Sequence, residues 1–411
     1  MTSTAQPLVD YSRTEQAGFP RNSVVRLKLM IIGAGALGNE AAKALGLLGC
    51  GEVVIVDHDT VESHNLTRSV LFRTEGAVGR SKAASLADAC RHYFPDTVWT
   101  ALETEVTGIG LQWIARSDLV FSCVDNDLAR LEIAWLCAKF DRPLVDAGLG
   151  GEDHSKCRVS LFPGRAAASF CCLLPPDRRR ELLTFWDCQA EPCRFAPERE
   201  TAFPGTPMAA AVGGSLQVDV GLRYLLKPPP ANPPIAARSI EIVLDPPQLT
   251  SFCISRNPGC PFHGDLVEGC VFEAADSDMT VNELMHRART KRIGEPSLVL
   301  DWPLCLLAKC RDCGARWEPM TRVALFRRSA VCPSCGSGRP VAVRVVHRIS
   351  SESPLADRSL RDLGMPDRHI YTIEFPAGNG GARRGSTPIE TASRALSSEA
   401  DGFWGRGDAS Q

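Results

Sequence analysis

The stretch Leu29-Met-Ile-Ile-Gly-Ala-Gly-Ala-Leu-Gly38, followed by Val53-Val-Ile-Val-Asp57, decides the fold. Its apolar run predicts a buried strand. Gly33-x-Gly35-x-x-Gly38 then predicts a tight turn, close approach of backbone to phosphate, and close packing of the following helix on the strand. The N-terminus of that helix would present free N–H groups and the positive end of its dipole to an anion. Asp57 closes the second strand 24 residues after Gly33, where an acid can take two ribose hydroxyls. Strand, turn, helix and acid together predict a nucleotide-binding unit, against the bland alternative of a glycine-rich turn.

The same rhythm continues outward. Residues 26–150 alternate strands (27–32, 53–57, 97–104, 118–123, 143–147) with helices (36–48, 80–92, 109–116, 126–140), which predicts an α/β, Rossmann-like, mostly parallel sheet with helices on both faces. A strand at 158–162, an irregular Cys-, Pro- and Arg-rich loop at 171–205, a helix at 207–226 and a strand at 240–244 extend it. The expected organisation is an N-terminal arm (1–25), a nucleotide-binding domain (26–255) and a smaller cysteine-bearing module (256–375). A Gly-, Ala-, Ser- and Arg-rich tail (376–411) reads as disordered.

Composition narrows the class. The chain has 411 residues, 44% of them apolar, and a net charge of -2, so there is no global reason to bind nucleic acid or a membrane. Residues 1–20 are polar and no run of eighteen apolar residues occurs, which reads as a soluble, cytoplasmic chain. Seventeen cysteines in such a setting point to metal or thiol chemistry, not to a disulfide framework.

Four short patterns flank the glycine turn: Tyr11-Ser-Arg13, Asn65-Leu-Thr-Arg68, Gly79-Arg-Ser-Lys82 and Cys123-Val-Asp125-Asn126. In this order and spacing, from about Tyr11 to Tyr224, the chain resembles the ThiF/MoeB/HesA superfamily of adenylyltransferases, to which the E1-type ubiquitin-activating enzymes belong. The resemblance implies ATP and Mg²⁺ as cofactors. It assigns Asp57 to the ribose, Asn65, Arg68 and Lys82 to the phosphates, and Asp125 to the metal. Arg13 matches a family arginine that reaches into the partner protomer's site, so a homodimer is implied. Asp59 is a further acid beside the site, with a ligand role and a loop role both open.

The chemistry accounts for these residue types. When a carboxylate attacks the α-phosphate of ATP, two anions meet while pyrophosphate departs, so negative charge must be neutralised by fixed cations and a metal. Arg68 and Lys82 bring cations from two loops, and Asp125 at a strand's C-terminal end suits Mg²⁺. Taken singly, a loop Arg is usually a solvated charge, and Asp125 could merely cap the next helix.

The cysteines divide into two groups. Cys188 and Cys193 lie in the 171–205 loop, where relatives carry the thiol that takes the acyl group from AMP, and nearby arginines would lower a thiol pKa. The residues do not choose between them, and an ordinary loop thiol is the bland reading. Cys310-Arg-Asp-Cys313-Gly and Cys332-Pro-Ser-Cys335-Gly, separated by eighteen residues, predict a closed tetrahedral Zn²⁺ site of the zinc-ribbon kind. Many relatives also join two CxxC pairs across the main domain. Here Ser169 and His263 break that pattern, leaving a mixed site of Cys172, Cys260 and His263 completed by Cys171 or Cys253, or a buried cysteine pair with a surface His. Cys50, Cys90, Cys123 and Cys137 read as packing residues.

The expected activity is adenylation of the C-terminal Gly of a ubiquitin-like protein, then a loop-cysteine thioester passed to an E2-like conjugating enzyme. The extra module inclines this toward the pathways of bacterial ubiquitin-like operons. The alternatives are a sulfur-carrier adenylyltransferase of MoeB or ThiF type, an NAD(P)-dependent oxidoreductase, and a non-catalytic zinc adaptor.

Overall fold

The computed structural model describes residues 9–150, 155–187, 205–227, 236–263, 270–273, 277–289, 295–338 and 340–375. Two short helices, α1 (Ser12–Gln16) and α2 (Arg21–Val24), precede an eight-stranded sheet. Its strands are β1 (Lys28–Ile32), β2 (Glu52–Val56), β3 (Val98–Leu102), β4 (Leu119–Ser122), β5 (Leu144–Gly150), β6 (Lys156–Phe162), β7 (Ala237–Leu244) and β8 (Pro247–Ile254). They lie in the order β3-β2-β1-β4-β5-β6-β7-β8. The first five are parallel and the last three antiparallel. The order in which strands are added reverses at β1, which has β2 on one side and β4 on the other, and in such sheets the crevice at the carboxyl ends of β1 and β4 is where ligands bind.

Strands buried on both faces explain the continuous apolar runs. Met30, Ile32, Val54 and Val56 point into one core with α5 (Leu111–Arg116) and α6 (Asp127–Lys139). Leu29, Ile31, Val53 and Ile55 point into the other with α3 (Ala36–Leu47), α4 (Lys82–Tyr93) and α9 (Pro207–Leu226). Two expectations need correction. The front of the 171–205 loop is not irregular: α7 (Phe170–Leu173) and α8 (Pro176–Asp187) occupy it. Pro176 suits the first turn of a helix, where no N–H is needed. The strand expected at 240–244 begins at Ala237 and folds back on β8 as a hairpin. Among the described residues no helix is long and apolar enough to cross a membrane.

A second, six-stranded sheet follows, with α10 (Val281–Arg289) and α11 (Val323–Ser329). The long β10 (Ser297–Cys310) pairs with β11 (Arg316–Trp317), β12 (Thr321–Arg322), β13 (Pro340–Ser350) and β14 (Ile370–Glu374), and β14 with β9 (Cys270–Glu273). This sheet packs on the α5–α6 face of the first. Trp302 lies against Trp135 with ring centroids 5.2 Å apart, and Trp302 and Ile370 belong to the same core as β1 and α6. Asp301, buried between the sheets, pairs with Lys139 and lies 3.2 Å from His369 Nε2.

Burial pushes the Asp301 carboxyl up, but Lys139 and His369 outweigh it and hold the group below its ordinary value. Burial pushes His369 down, further than Asp301 raises it. The unfolded chain therefore takes up a proton first as the pH falls below about 6.5. The stability from the neutral ring is present above that pH and lost as pH falls through the window below it. His369→Gln should flatten the fall in Tm between about pH 7 and about pH 5.5. Asp301→Ala should cost about 3–5 kcal/mol in denaturant titration, because Lys139 is left buried without its counter-ion.

Candidate nucleotide site

A cavity of about 710 Å³ opens at the carboxyl ends of β1, β2, β4 and β5 and continues over β6 and β7. Its size suits a nucleotide with room beside it. Gly33 has φ +100°, and a Cβ there would stand 2.6 Å from the carbonyl oxygen of Cys123. Gly38 does not line the cavity; a Cβ on it would fall 2.0 Å from the oxygen of Gly33, so its role is the close fit of α3 under the turn. Gly35 faces open space and is the N-cap of α3 without any side-chain cap. The first amides of α3 are thus free to face an anion.

Asp57 ties this turn to β2. Its Oδ2 accepts the Ala34 N–H at 2.7 Å and its Oδ1 the Asp59 N–H at 2.8 Å. Burial raises its carboxyl above the ordinary value, with these amides and Lys82 acting in opposition. Burial also pushes Asp59 up, but Lys82, whose Nζ donates to Asp59 Oδ2 at 2.8 Å, and His58 outweigh it. Lys82 is the first residue of α4 and its neighbour Ser81 is the cap, accepting from Ala84 N at 3.3 Å. Asn65 is buried and pins its own loop, accepting the Glu62 N–H at 2.8 Å. Arg68 follows the single-turn helix Ser63–Thr67 and lines the cavity.

Asp125 is exposed on the cavity wall. The capping role belongs to Asn126, whose Oδ1 accepts the Ala129 N–H at 2.8 Å, so the bland reading of Asp125 does not hold. Gly33, Gly35, Asp57, Asp59, Asn65, Arg68, Lys82 and Asp125 thus share one cavity. Arg13 is not brought there: it sits exposed on α1, next to Tyr11, whose hydroxyl donates to Asp96 at 2.9 Å. Cys123 borders the cavity but donates to Gln217 Oε1 at 3.2 Å, and burial pushes its thiol up to about 12, which suits packing and not nucleophilic attack. Cys188 and Cys193 lie outside the described residues.

Sequence reasoning missed the cavity's second half: Arg130, Lys156, Arg158, Arg178 and Glu241, with Asp146 buried beneath Arg130 and Arg158. Arg178 on α8 bonds Asp127 Oδ2 at 3.0 Å across the mouth, and Lys156 pairs with Glu241 at 2.8 Å. An available signal was charge inside apolar runs, Arg130 in 128–134 and Asp146 in 144–149, since a buried charge is kept only with a partner.

Two cysteine clusters stand apart from the cavity. Cys310 Sγ and Cys335 Sγ are 3.7 Å apart, and Cys313 Sγ and Cys332 Sγ 3.6 Å. Both knuckles share one backbone form: Gly314 N donates to Cys310 O at 3.1 Å and Gly336 N to Cys332 O at 2.9 Å, with both glycines at positive φ. In the other cluster the ligand atoms of Cys172, Cys260 and His263 lie within 4.8 Å of one another. The Cys171 thiol hydrogen-bonds with Cys260 without coming that close to all three, and Cys253 is not in the group. The nearby oxygen is Ser169 Oγ, 3.3 Å from Cys260 Sγ and 3.8 Å from Cys172 Sγ.

The sequence model of the ThiF family matches residues 12–262. The chain is 35% identical over 158 residues to the sulfur carrier protein ThiS adenylyltransferase of Escherichia coli, covering 38% of this chain and 61% of that protein. It is 33% identical over 130 residues to the SUMO-activating enzyme subunit uba-2 of Caenorhabditis elegans, covering 31% of this chain and 22% of that one. The chain thus spans less than two thirds of these relatives' lengths. The crystal structure of E. coli MccB with ATP is similar at a TM-score of 0.48 and 18% identity, over 64% of this chain and 75% of that one.

Because Asp57 shapes the turn as well as facing the cavity, Asp57→Ala should lower both Tm and affinity for a fluorescent ATP analogue. Arg68→Ala should change unfolding stability by no more than about 0.5 kcal/mol and weaken only the analogue, read by titration.

Proposed function

The chain belongs to the ThiF family, and from that premise we propose that it is an ATP-dependent adenylyltransferase acting on the C-terminal carboxylate of a ubiquitin-like protein. A carboxylate oxygen attacks the α-phosphorus, the bond to the β-phosphate's bridging oxygen breaks, and pyrophosphate leaves with an acyl-adenylate formed. No proton need move. The single observation carrying this reading is that the glycine turn, Asp57, Asn65, Arg68, Lys82 and Asp125 converge on one cavity. In it Asp57 takes the ribose, the free amides of α3 with Asn65, Arg68 and Lys82 take the phosphates, and Asp59 orients Lys82. Asp125, an exposed carboxylate with no capping duty, fits Mg²⁺, which when bound would offset phosphate charge. Family membership removes the oxidoreductase reading.

The second step would place the acyl group on Cys188 or Cys193 as a thioester and pass it to an E2-like conjugating enzyme, with Arg13 serving the partner site of a homodimer. A sulfur-carrier adenylyltransferase is supported equally, because the chain resembles proteins named for ThiS adenylylation and for SUMO activation alike. Mass spectrometry after incubation with ATP and Gly-Gly-ended β-grasp proteins separates them: a thiol-labile enzyme adduct means conjugation, a thiocarboxylate means sulfur transfer. Exchange of pyrophosphate into ATP that stays absent with every such protein would leave the adaptor reading.

The four-cysteine cluster fits structural zinc. Tetrahedral ligation at about 2.3 Å sets sulfurs about 3.8 Å apart, against the observed 3.7 and 3.6 Å. Four thiolates leave no open position, so its contribution would be to hold the two knuckles together. Cys172, Cys260 and His263 would offer a second site with two thiolates and one imidazole.

Asp125→Ala should lower ATP–pyrophosphate exchange by about 100-fold or more, the scale of one lost charge-stabilising contact, with an unchanged melting curve; normal exchange would discard the metal assignment. Elemental analysis should find zinc, and a chelator should lower Tm. Cys313→Ser with full zinc content would remove the four-thiolate assignment.

A further inference from the structure

Past the residues a nucleotide would occupy, the cavity floor is built from β5, β6 and β7. Asp146, Gly148 and Gly150 alternate onto one face of β5, opposite Ser160, Arg158 and Lys156 of β6, with Glu241 of β7 beyond Arg158. The glycines keep this floor at backbone level. A Cβ on Gly148 would crowd Arg130 Nη2 at 3.0 Å, and Gly150 faces open space. The floor therefore suits a slim, extended chain.

Most cations on this floor are answered. Lys156 pairs with Glu241, and Arg178 with both Asp127 and Glu181. Asp127 also lies 3.8 Å from Arg130 Nη1. Deeper in, two guanidiniums, Arg130 and Arg158, face one carboxylate, Asp146, which is 1% exposed. Asp146 Oδ1 accepts from Ser122 Oγ at 2.7 Å and lies 3.2 Å from Arg130 Nε. Its Oδ2 lies 4.0 Å from Arg158 Nη2, too far for a hydrogen bond, and has no hydrogen-bond partner. Arg158 Nε is likewise buried without one. Arg130 is fixed in place, its Nη2 donating to Val124 O at 2.7 Å and Ala147 O at 3.2 Å. A buried donor left unpaired is costly, and a guanidinium with an unmet N–H in a concave site attracts an anionic acceptor.

We propose that Arg158 docks the terminal carboxylate of the incoming peptide tail. Arg130 is the fixed cation beside it, and Asp146 is the positioning residue that both guanidiniums share. This rests on the adenylation reading above and adds the group that holds the attacking carboxylate, which the phosphate-binding residues leave unassigned. Arginine suits the task because its planar fork meets a carboxylate with two parallel N–H donors.

The test uses the full chain and a fluorescein-labelled peptide, Ala-Ala-Ala-Gly-Gly, as the free acid and as the C-terminal amide, by anisotropy with a non-hydrolysable ATP analogue present. The free acid should bind at least about tenfold more tightly than the amide, the scale of one charge-assisted hydrogen bond. Arg158→Gln should erase the difference, Arg158→Lys should restore part of it, and neither should change affinity for a fluorescent ATP analogue. Asp146→Asn should shrink the difference through misplacement of Arg158. Equal binding of acid and amide by the native protein, no binding of either, or discrimination that survives Arg158→Gln would overturn the proposal. An Arg158→Gln variant that instead loses the ATP analogue would overturn it too, by assigning the arginine to phosphate. If the native protein binds no ATP analogue, the adenylation reading itself falls, an outcome separate from these.

Discussion

The two hydrogen bonds that Asp57 accepts, from Ala34 and from Asp59, are the constraint on which the rest of the site depends. Ile32 and Val56 are partners in the parallel register of β1 and β2, so the residue after Val56 meets the chain just as it turns into α3. One carboxylate then fixes the glycine turn on one side and the start of the 58–68 loop on the other. The turn itself requires the left-handed φ of Gly33, which a side chain would oppose both by conformation and by collision with Cys123. The cradle is therefore shaped before any ligand arrives, which is what electrostatic preorganisation demands.

The cations of the cavity are mostly held in pairs: Lys82 with Asp59, Arg178 with Asp127, and Lys156 with Glu241. Such part-exposed pairs are worth about 0–1 kcal/mol each, too little to matter to stability. Their consequence is orientation. A long, flexible Lys or Arg loses rotamer freedom to its acid in advance, so less is left to lose when an anionic ligand binds. Asp59 in this arrangement is best understood as the partner that aims Lys82.

The alternation of apolar strand and amphipathic helix made β1 through β5 legible, and α9 matches its expected span residue for residue because Thr206-Pro207 is a strong start signal. The phosphate-side residues were legible because they sit at strand ends next to recognisable turns. Elsewhere local signals competed. Pro175-Pro176 and the run Arg178–Arg180 read as loop, whereas packing of Leu182 into the core selects a helix. The β5–β7 floor was not legible for a different reason. Arg130, Asp146 and Arg158 come from a helix and two strands, and only the antiparallel register of β5 and β6 sets Gly148 opposite Arg158. Nothing in the spacing of those residues encodes that meeting. Arg13 shows the converse, since a residue matching a family pattern lies away from its own chain's cavity.

The second sheet is also more than an appendage of the first, for reasons of charge as well as area. Lys139, Asp301 and His369 are all nearly enclosed, and parting the sheets would separate Lys139 from the carboxylate that answers its charge. Near the cavity rim, Arg322 Nη2 lies 3.3 Å from Glu105 Oε1 and Arg322 also reaches the carbonyl of Thr107, while Glu105 itself lines the cavity. Arg322 is the residue from which α11 starts, and α11 leads within three residues of its end to Cys332. One short, continuous run of chain thus joins the cysteine cluster to the wall of the nucleotide site. Because Arg322 and Glu105 are both largely shielded from water, their pairing is less screened than the surface pairs above, so the rim and the cysteine-bearing sheet hold their positions jointly and not as separately movable parts.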